Sequence, residues 1–193
     1  MTFKPVRWVV HHSASPGGGL LFIGKVAKER ENIDYCPYHF VISNGRDWGG
    51  FSEGLADGML LHGREDDLPG AHVHHHNSDS LGVCLIGDFN KAGSRPTSAQ
   101  IDTLISLLVQ GYTKYGIIPI YANPADPERM KFATVWNHKD MPDNSTDCPG
   151  DNMYDMTRRA CLIAYEQVVA AQKATHIHDP NAHKEVGHHA PPK

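Results

Sequence analysis

The sequence has no surplus of positive charge: its 193 residues hold 18 Lys and Arg against 22 Asp and Glu, a formal net charge of −4. Nucleic-acid binders generally carry a basic face, so that class is set aside, and the same balance offers no electrostatic recruitment to an anionic surface. No apolar run approaches the ~20 residues that cross a bilayer, and no membrane span is expected. The opening Met1-Thr-Phe-Lys-Pro5 lacks the apolar core and cleavage site of a secretory signal, so synthesis in a cytoplasm with reduced thiols is the expectation. Cysteine is scarce, with only 4 present. Cys84 lies in an apolar run and Cys161 in a helical pattern, and both read as buried structural thiols. A hydrophobic content of 40% suffices for one domain with a substantial core, while the length is short for a second binding module. One monomeric domain over residues 1–174 is therefore expected. The histidine-rich tail from 175 to 193 lacks apolar periodicity and is expected to be flexible.

What is present is an alternation of strand and helix patterns. Trp8, Val9 and Val10 read as a buried strand ending in His11 and His12, and Ser13 to Gly19 as a small-residue loop. Leu20 to about Glu31 places Ile23, Val26 and Ala27 on one side of a helix. Asn32 to Pro37 turns the chain into a second strand, Tyr38 to Ser43, which Asn44-Gly45 ends. Arg46 to about Leu61 is rich in glycine and reads as a solvated loop. Ser80 to Gly87 is nearly continuously apolar, as a central strand covered on both faces is. Thr97-Ser-Ala-Gln100 has the form of a capping box ahead of Ile101, Leu104, Ile105, Leu108 and Tyr112, predicting a helix that runs to Gly116. Ile117 to Tyr121 and Ala133 to Asn137 are strand-like, and Met153, Met156, Ala160, Ile163, Ala164 and Val168 form the stripe of a final helix. The order predicts an α/β fold, a central mixed β-sheet flanked by helices on both faces.

The chemistry concentrates in Val135 to Gly150, where a Pro-, Asp- and Asn-rich loop separates His138 from Cys148. Such a loop can bring imidazole and thiolate to one zinc ion, and a catalytic zinc takes three protein ligands and keeps a fourth position open. The best third candidate lies at the end of the first strand. Successive side chains there point to opposite faces, so only one of His11 and His12 can enter a shared pocket, and spacing does not choose between them. The run His72-Val-His-His-His-Asn77 packs four histidines into six residues. Adjacent imidazoles on irregular backbone seldom converge with the geometry zinc demands, so that run is not read as a second metal site.

Along the chain stand Val9-Val-His-His-Ser-Ala14, Tyr38-His-Phe-Val-Ile42, Gly63-Arg64 with Gly70-Ala-His72, Ser80-Leu-Gly-Val-Cys-Leu-Ile-Gly87, and His138 with Thr146-Asp-Cys-Pro-Gly150. In this order they resemble the zinc-dependent N-acetylmuramoyl-L-alanine amidases of the phage-lysozyme and peptidoglycan-recognition-protein type. The resemblance covers most of the chain from about residue 6 to 170, and segment 46–61 looks like an insertion relative to the compact phage enzymes. It implies the amidase/recognition-protein fold with a zinc cleft at one sheet edge. It makes His11, His138 and Cys148 the zinc ligands, with His12 a neighbour. Tyr38 matches the family's active-site tyrosine. Thr146 matches a position that is lysine in the phage type and threonine in catalytic recognition proteins, so no lysine-assisted mechanism is implied. By the same likeness His72 and Asn77 lie against substrate.

The implied activity is hydrolysis, by zinc-activated water, of the amide joining N-acetylmuramic acid to L-alanine in peptidoglycan or a muropeptide. Tyr38 and Thr146 would attend the oxygen that gains charge. No glutamate stands in the matched blocks, which leaves the general base to zinc hydroxide or Tyr38. The lack of signal and wall-binding module favours a phage endolysin, made in the host cytoplasm and acting on the wall after release. The alternatives are a non-catalytic peptidoglycan-binding module of the same fold, a muropeptide-recycling amidase, whose relatives usually carry Asp where Cys148 stands, and a structural zinc protein, which needs a fourth ligand that is not evident.

Overall fold

The computed structural model describes residues 3–51 and 54–177. In chain order the elements are β1 (Arg7–His12), α1 (Leu20–Glu31), β2 (Phe40–Asn44), β3 (Asp57–His62), β4 (Ser80–Leu85), α2 (Ser98–Tyr115), α3 (Pro127–Met130), β5 (Val135–Asn137), a 3-10 turn (His138–Asp140) and α4 (Asp151–Ile177). The sheet order is β3-β2-β4-β1-β5. Only the β2–β3 pair is antiparallel; β4 pairs in parallel with both β1 and β2, and β1 with β5. All of β4 is buried, which is why its sequence is continuously apolar rather than alternating.

Alternation along β1 sorts its side chains between two layers. Trp8 and Val10 join Leu81, Val83 and Leu85 against Ile101, Leu104 and Leu108 of α2 and Met153, Ala160 and Ala164 of α4. Val9 faces the other way, beside Trp136 and Val73, and on that same side Val41 and Cys84 pack under Ile23 of α1. Cys84 and Cys161 are both free and buried. The expected capping box opens α2: Thr97 Oγ1 accepts the Gln100 N–H while the Gln100 side chain accepts the Thr97 N–H. Gln100 also does something its sequence position does not announce. Its Nε2 donates to the Ile42 and Ile86 carbonyls, each at 3.0 Å, and so fastens the helix start to the sheet.

Three expectations are corrected. The Arg46 to Leu61 segment is not all loop, because its second half is the edge strand β3. Gly58, which read as a loop marker, has φ +77 and lies where an added Cβ would sit 2.8 Å from the Ala99 Cβ. Only glycine lets this strand close on α2, where Thr103 Oγ1 donates to the Gly58 carbonyl at 2.7 Å. Ile117 to Tyr121 contributes one bridge, Tyr121 to Val135, and no full strand. On α4 the inward stripe is Met153, Thr157, Ala160, Cys161, Ala164 and Val168, whereas Ile163 is 42% exposed. Helix α4 runs to Ile177, and the rest of the expected tail, from 178 on, lies outside the described residues.

Removing the box at its centre tests the capping argument. Thr97→Ala should lower stability by about 1 kcal/mol, the usual cost of losing a helix cap, read as a shifted urea midpoint at unchanged slope.

Candidate metal centre

The parallel β1–β5 ladder runs Trp8 to Val135, Val9 to Trp136 and Val10 to Asn137. The residues next in line, His11 and His138, therefore leave the sheet side by side, with ring centroids 4.5 Å apart. Alternation sends His12 to the opposite face, where its Nδ1 accepts the Phe89 N–H at 3.2 Å. The choice that spacing alone left open thus falls to His11.

Cys148 arrives from the far end of the 141–148 loop. Lys139 N–H donates to the Cys148 carbonyl at 2.8 Å, and Cys148 N–H donates to Thr146 Oγ1 at 3.1 Å. These bonds fold the loop back on the turn that begins with His138. Cys148 Sγ lies 3.6 Å from His11 Nδ1 and accepts the His12 N–H at 3.4 Å. The ligand-capable atoms of His11, His138 and Cys148 all lie within 4.8 Å of one another. Tetrahedral zinc with bonds of about 2.0–2.3 Å spaces its ligand atoms by roughly 3.5 Å, so the cluster needs little contraction. Among the described residues no fourth His, Cys, Asp or Glu joins it.

Each imidazole is held by its remote nitrogen. His11 Nε2 lies 3.1 Å from His72 Nδ1, and His138 Nε2 lies 3.2 Å from Asn144 Oδ1. With Nε2 engaged, Nδ1 is the nitrogen left to face the cluster, the arrangement in which neighbouring groups orient metal-binding histidines. The space for His72 comes from the sheet itself. A Cβ on Gly82 would meet the His72 Cγ at 2.6 Å, so the ring occupies a hollow that a side chain would fill. Behind it, His39 Nδ1 accepts the Gly82 N–H at 2.9 Å and its Nε2 faces the Leu68 carbonyl at 3.0 Å.

Burial keeps the ligand-capable groups of the cluster uncharged. Burial pushes the Cys148 thiol up to about 12, offset only in part by the His12 amide. Among the described residues no positive side chain acts on that thiol, and a divalent ion is a group that would hold it as thiolate. Burial, reinforced by the neighbouring imidazoles, also lowers His11 well below the usual 6.5, and burial lowers His138. Both are thus neutral and able to act as ligands at neutral pH. Two nitrogens and a thiolate are a donor set that suits zinc.

Two adjoining hollows, of about 290 and 430 Å³, form a groove over the cluster and share Glu31, His138 and Thr146 in their walls. Tyr38 stands in it with its ring centroid 4.9 Å from that of His11. Of the residues the likeness put against substrate, His72 also lines the larger hollow but is mostly buried, its ring turned toward His11. Asn77 lines the groove, but its Oδ1 already accepts the N–H groups of His72 and Val73, at 2.8 and 3.0 Å. Sequence reasoning overlooked Glu31, the last residue of α1, which is the carboxylate common to both hollows. It also overlooked Asn144. Neither lies in a matched block, and only the returning loop and the end of α1 bring them to the groove.

Residues 2–151 match the family model described as N-acetylmuramoyl-L-alanine amidase, Amidase_2. The chain belongs to this family. Its relatives include the endolysins of Klebsiella phage KP32 and Escherichia phage T7, 37% and 35% identical over 112 residues, 55% of this chain and 66% of either endolysin. The chain thus spans just under two thirds of those endolysins. Among solved structures, the amidase LysC of Clostridium intestinale URNW superposes with a TM-score of 0.61 at 24% identity, covering 81% of this chain and 85% of that one. At that identity the likeness concerns the fold, a mixed sheet with helices on both faces, as the strand order predicted.

The buried imidazoles give this amidase-family chain a pH signature. His72 is held at about 3, chiefly by burial, and burial also lowers His11, His12, His39 and His138. Groups depressed in the folded state take up protons first on unfolding, so stability must fall as pH drops from about 6.5 toward 3. The melting temperature of EDTA-treated protein should decline steadily across that window. A flat profile would contradict the neutral cluster.

Proposed function

We propose that residues 1–174 form a zinc-dependent peptidoglycan hydrolase that cleaves the amide between N-acetylmuramic acid and L-alanine, in the manner of an endolysin made in the host cytoplasm and acting on the wall after release. The observation that carries this reading is the convergence of His11, His138 and Cys148 at the base of an open groove that also presents Tyr38 and Thr146. A zinc ion bound there supplies Lewis acidity toward the amide carbonyl and acidifies water. The chain's own groups position and complement that chemistry.

Burial holds the Tyr38 phenol well above its usual range, so it remains a proton-bearing donor at working pH, suited to the oxygen that gains charge as the carbonyl is attacked. Thr146 Oγ1 accepts the Cys148 N–H and keeps its own hydroxyl proton for the same oxygen. His12 contributes through its backbone, whose N–H supports the Cys148 sulfur. Glu31, which lines both hollows together with His138 and Thr146, is a carboxylate available to receive a proton or to meet the amine of the leaving peptide.

Digestion of purified peptidoglycan followed by mass spectrometry tests the bond assignment. New N-terminal alanine without new reducing sugar ends is the expected product, and fragment binding with no new alanine would leave only a recognition module. Purified protein should carry about one zinc per chain, lost together with activity in His138→Ala and Cys148→Ala but retained in His12→Ala. Tyr38→Phe should fold and hold zinc normally while turnover drops by about 100-fold, the scale for removing one oxyanion donor. Full turnover in that variant would remove Tyr38 from the reaction.

A further inference from the structure

We infer that Asn144 is a positioning residue of the metal centre: its carboxamide fixes the His138 imidazole in one tautomer and ties it to the groove wall at His74. The inference rests on the metal-dependent reading above. A primary amide offers two donor hydrogens and two acceptor sites, and Asn144 uses all of them within the protein. Its Oδ1 accepts the His74 N–H at 3.1 Å and faces His138 Nε2 at 3.2 Å. Its Nδ2 donates to the Pro142 carbonyl at 2.7 Å and to the His74 carbonyl at 3.3 Å.

The two carbonyls settle which way the amide points. They only accept, so the nitrogen must face them; a flipped amide would set oxygen against oxygen at both places. Oδ1 is thereby left toward His138, and an oxygen can only accept. His138 Nε2 must then carry the ring proton, which leaves the Nδ1 lone pair free for a metal ion. The tautomer of a candidate ligand is in this way dictated by two peptide carbonyls that do not touch it.

The same side chain joins two separate stretches of groove. His74 lies in the histidine-rich run and Asn144 in the loop that delivers Cys148, and both line the larger hollow. Paired through the N–H and carbonyl of His74, the amide acts like a short piece of sheet between loops that share no ladder. The partner of His11 is the neutral ring of His72 and the partner of His138 is a neutral amide. Among the described residues no carboxylate bonds to either imidazole.

Zinc affinity, measured by competition with a chromophoric chelator on the full chain, is the first test. Asn144→Ala should bind zinc about 10- to 100-fold more weakly, the usual effect of removing a group that orients a ligand. Its cobalt form should show a shifted visible spectrum, while the metal-free melting temperature stays close to wild type. Asn144→Asp keeps an oxygen for His138 but sets its second oxygen against the Pro142 and His74 carbonyls, so it too should bind zinc more weakly than wild type. Wild-type affinity and spectrum in Asn144→Ala would overturn the inference. Independently of any variant, long-range proton–nitrogen spectra of the metal-free wild type should show His138 protonated at Nε2, and a proton at Nδ1 would refute it. A wild-type chain that takes up no zinc overturns the metal reading itself, a failure distinguishable from zinc bound equally well with and without Asn144.

Discussion

The register between β1 and β5 is the constraint on which the site depends. Three buried pairs, ending at Val10 and Asn137, aim His11 and His138 into the same space. A slip of one residue would turn His11 into the opposite layer and bring His12 in its place, because side chains alternate across a sheet. What prevents the slip is apolar: Trp8, Val9, Val10 and Val135 are all essentially inaccessible to solvent, and each has one face on which it can be buried. The metal-binding geometry is thus inherited from hydrophobic packing.

Around that ladder the protein buries several imidazoles at once, His11, His39 and His72 among them. Buried polar groups are costly unless hydrogen-bonded. Most of these nitrogens are answered, His39 by Gly82 and Leu68, and His11 by His72. The His72 ring is also reached by the Ser80 backbone, which raises its pKa against the larger, opposing effect of burial.

Much of this was legible in the sequence because it was written in short-range patterns. The bounds of α1, the capping box at Thr97 and Gln100, and the buried character of β4 follow from periodicity and end signals within a few residues. The histidine pair at the end of β1 announced that one ring would face a pocket; which one required the partner strand. Features set by distant contacts stayed hidden. Glycine at position 58 looks the same in a loop and in an edge strand pressed on a helix. Ile163 falls on the helical stripe by spacing, and only the seat of α4 turns it outward while Cys161 stays buried, as expected. Asn144 gives no local sign of its use, since two of its four bonds are made to His74, in a loop far away in the chain.

The hollow over Gly82 separates stability from function at a single atom. Replacing glycine by alanine commonly gains about 0.4–1 kcal/mol where the backbone permits it, by restricting the unfolded chain. Gly24, inside α1 and with nothing within 4 Å of an added Cβ, is open to that gain. Gly82, in the middle of the best-packed strand, is closed to it, because the methyl would take the place of the His72 ring. An engineer ranking glycines by backbone conformation alone would treat the two alike. One is free to drift toward a more rigid chain, while the other is a void the protein must keep.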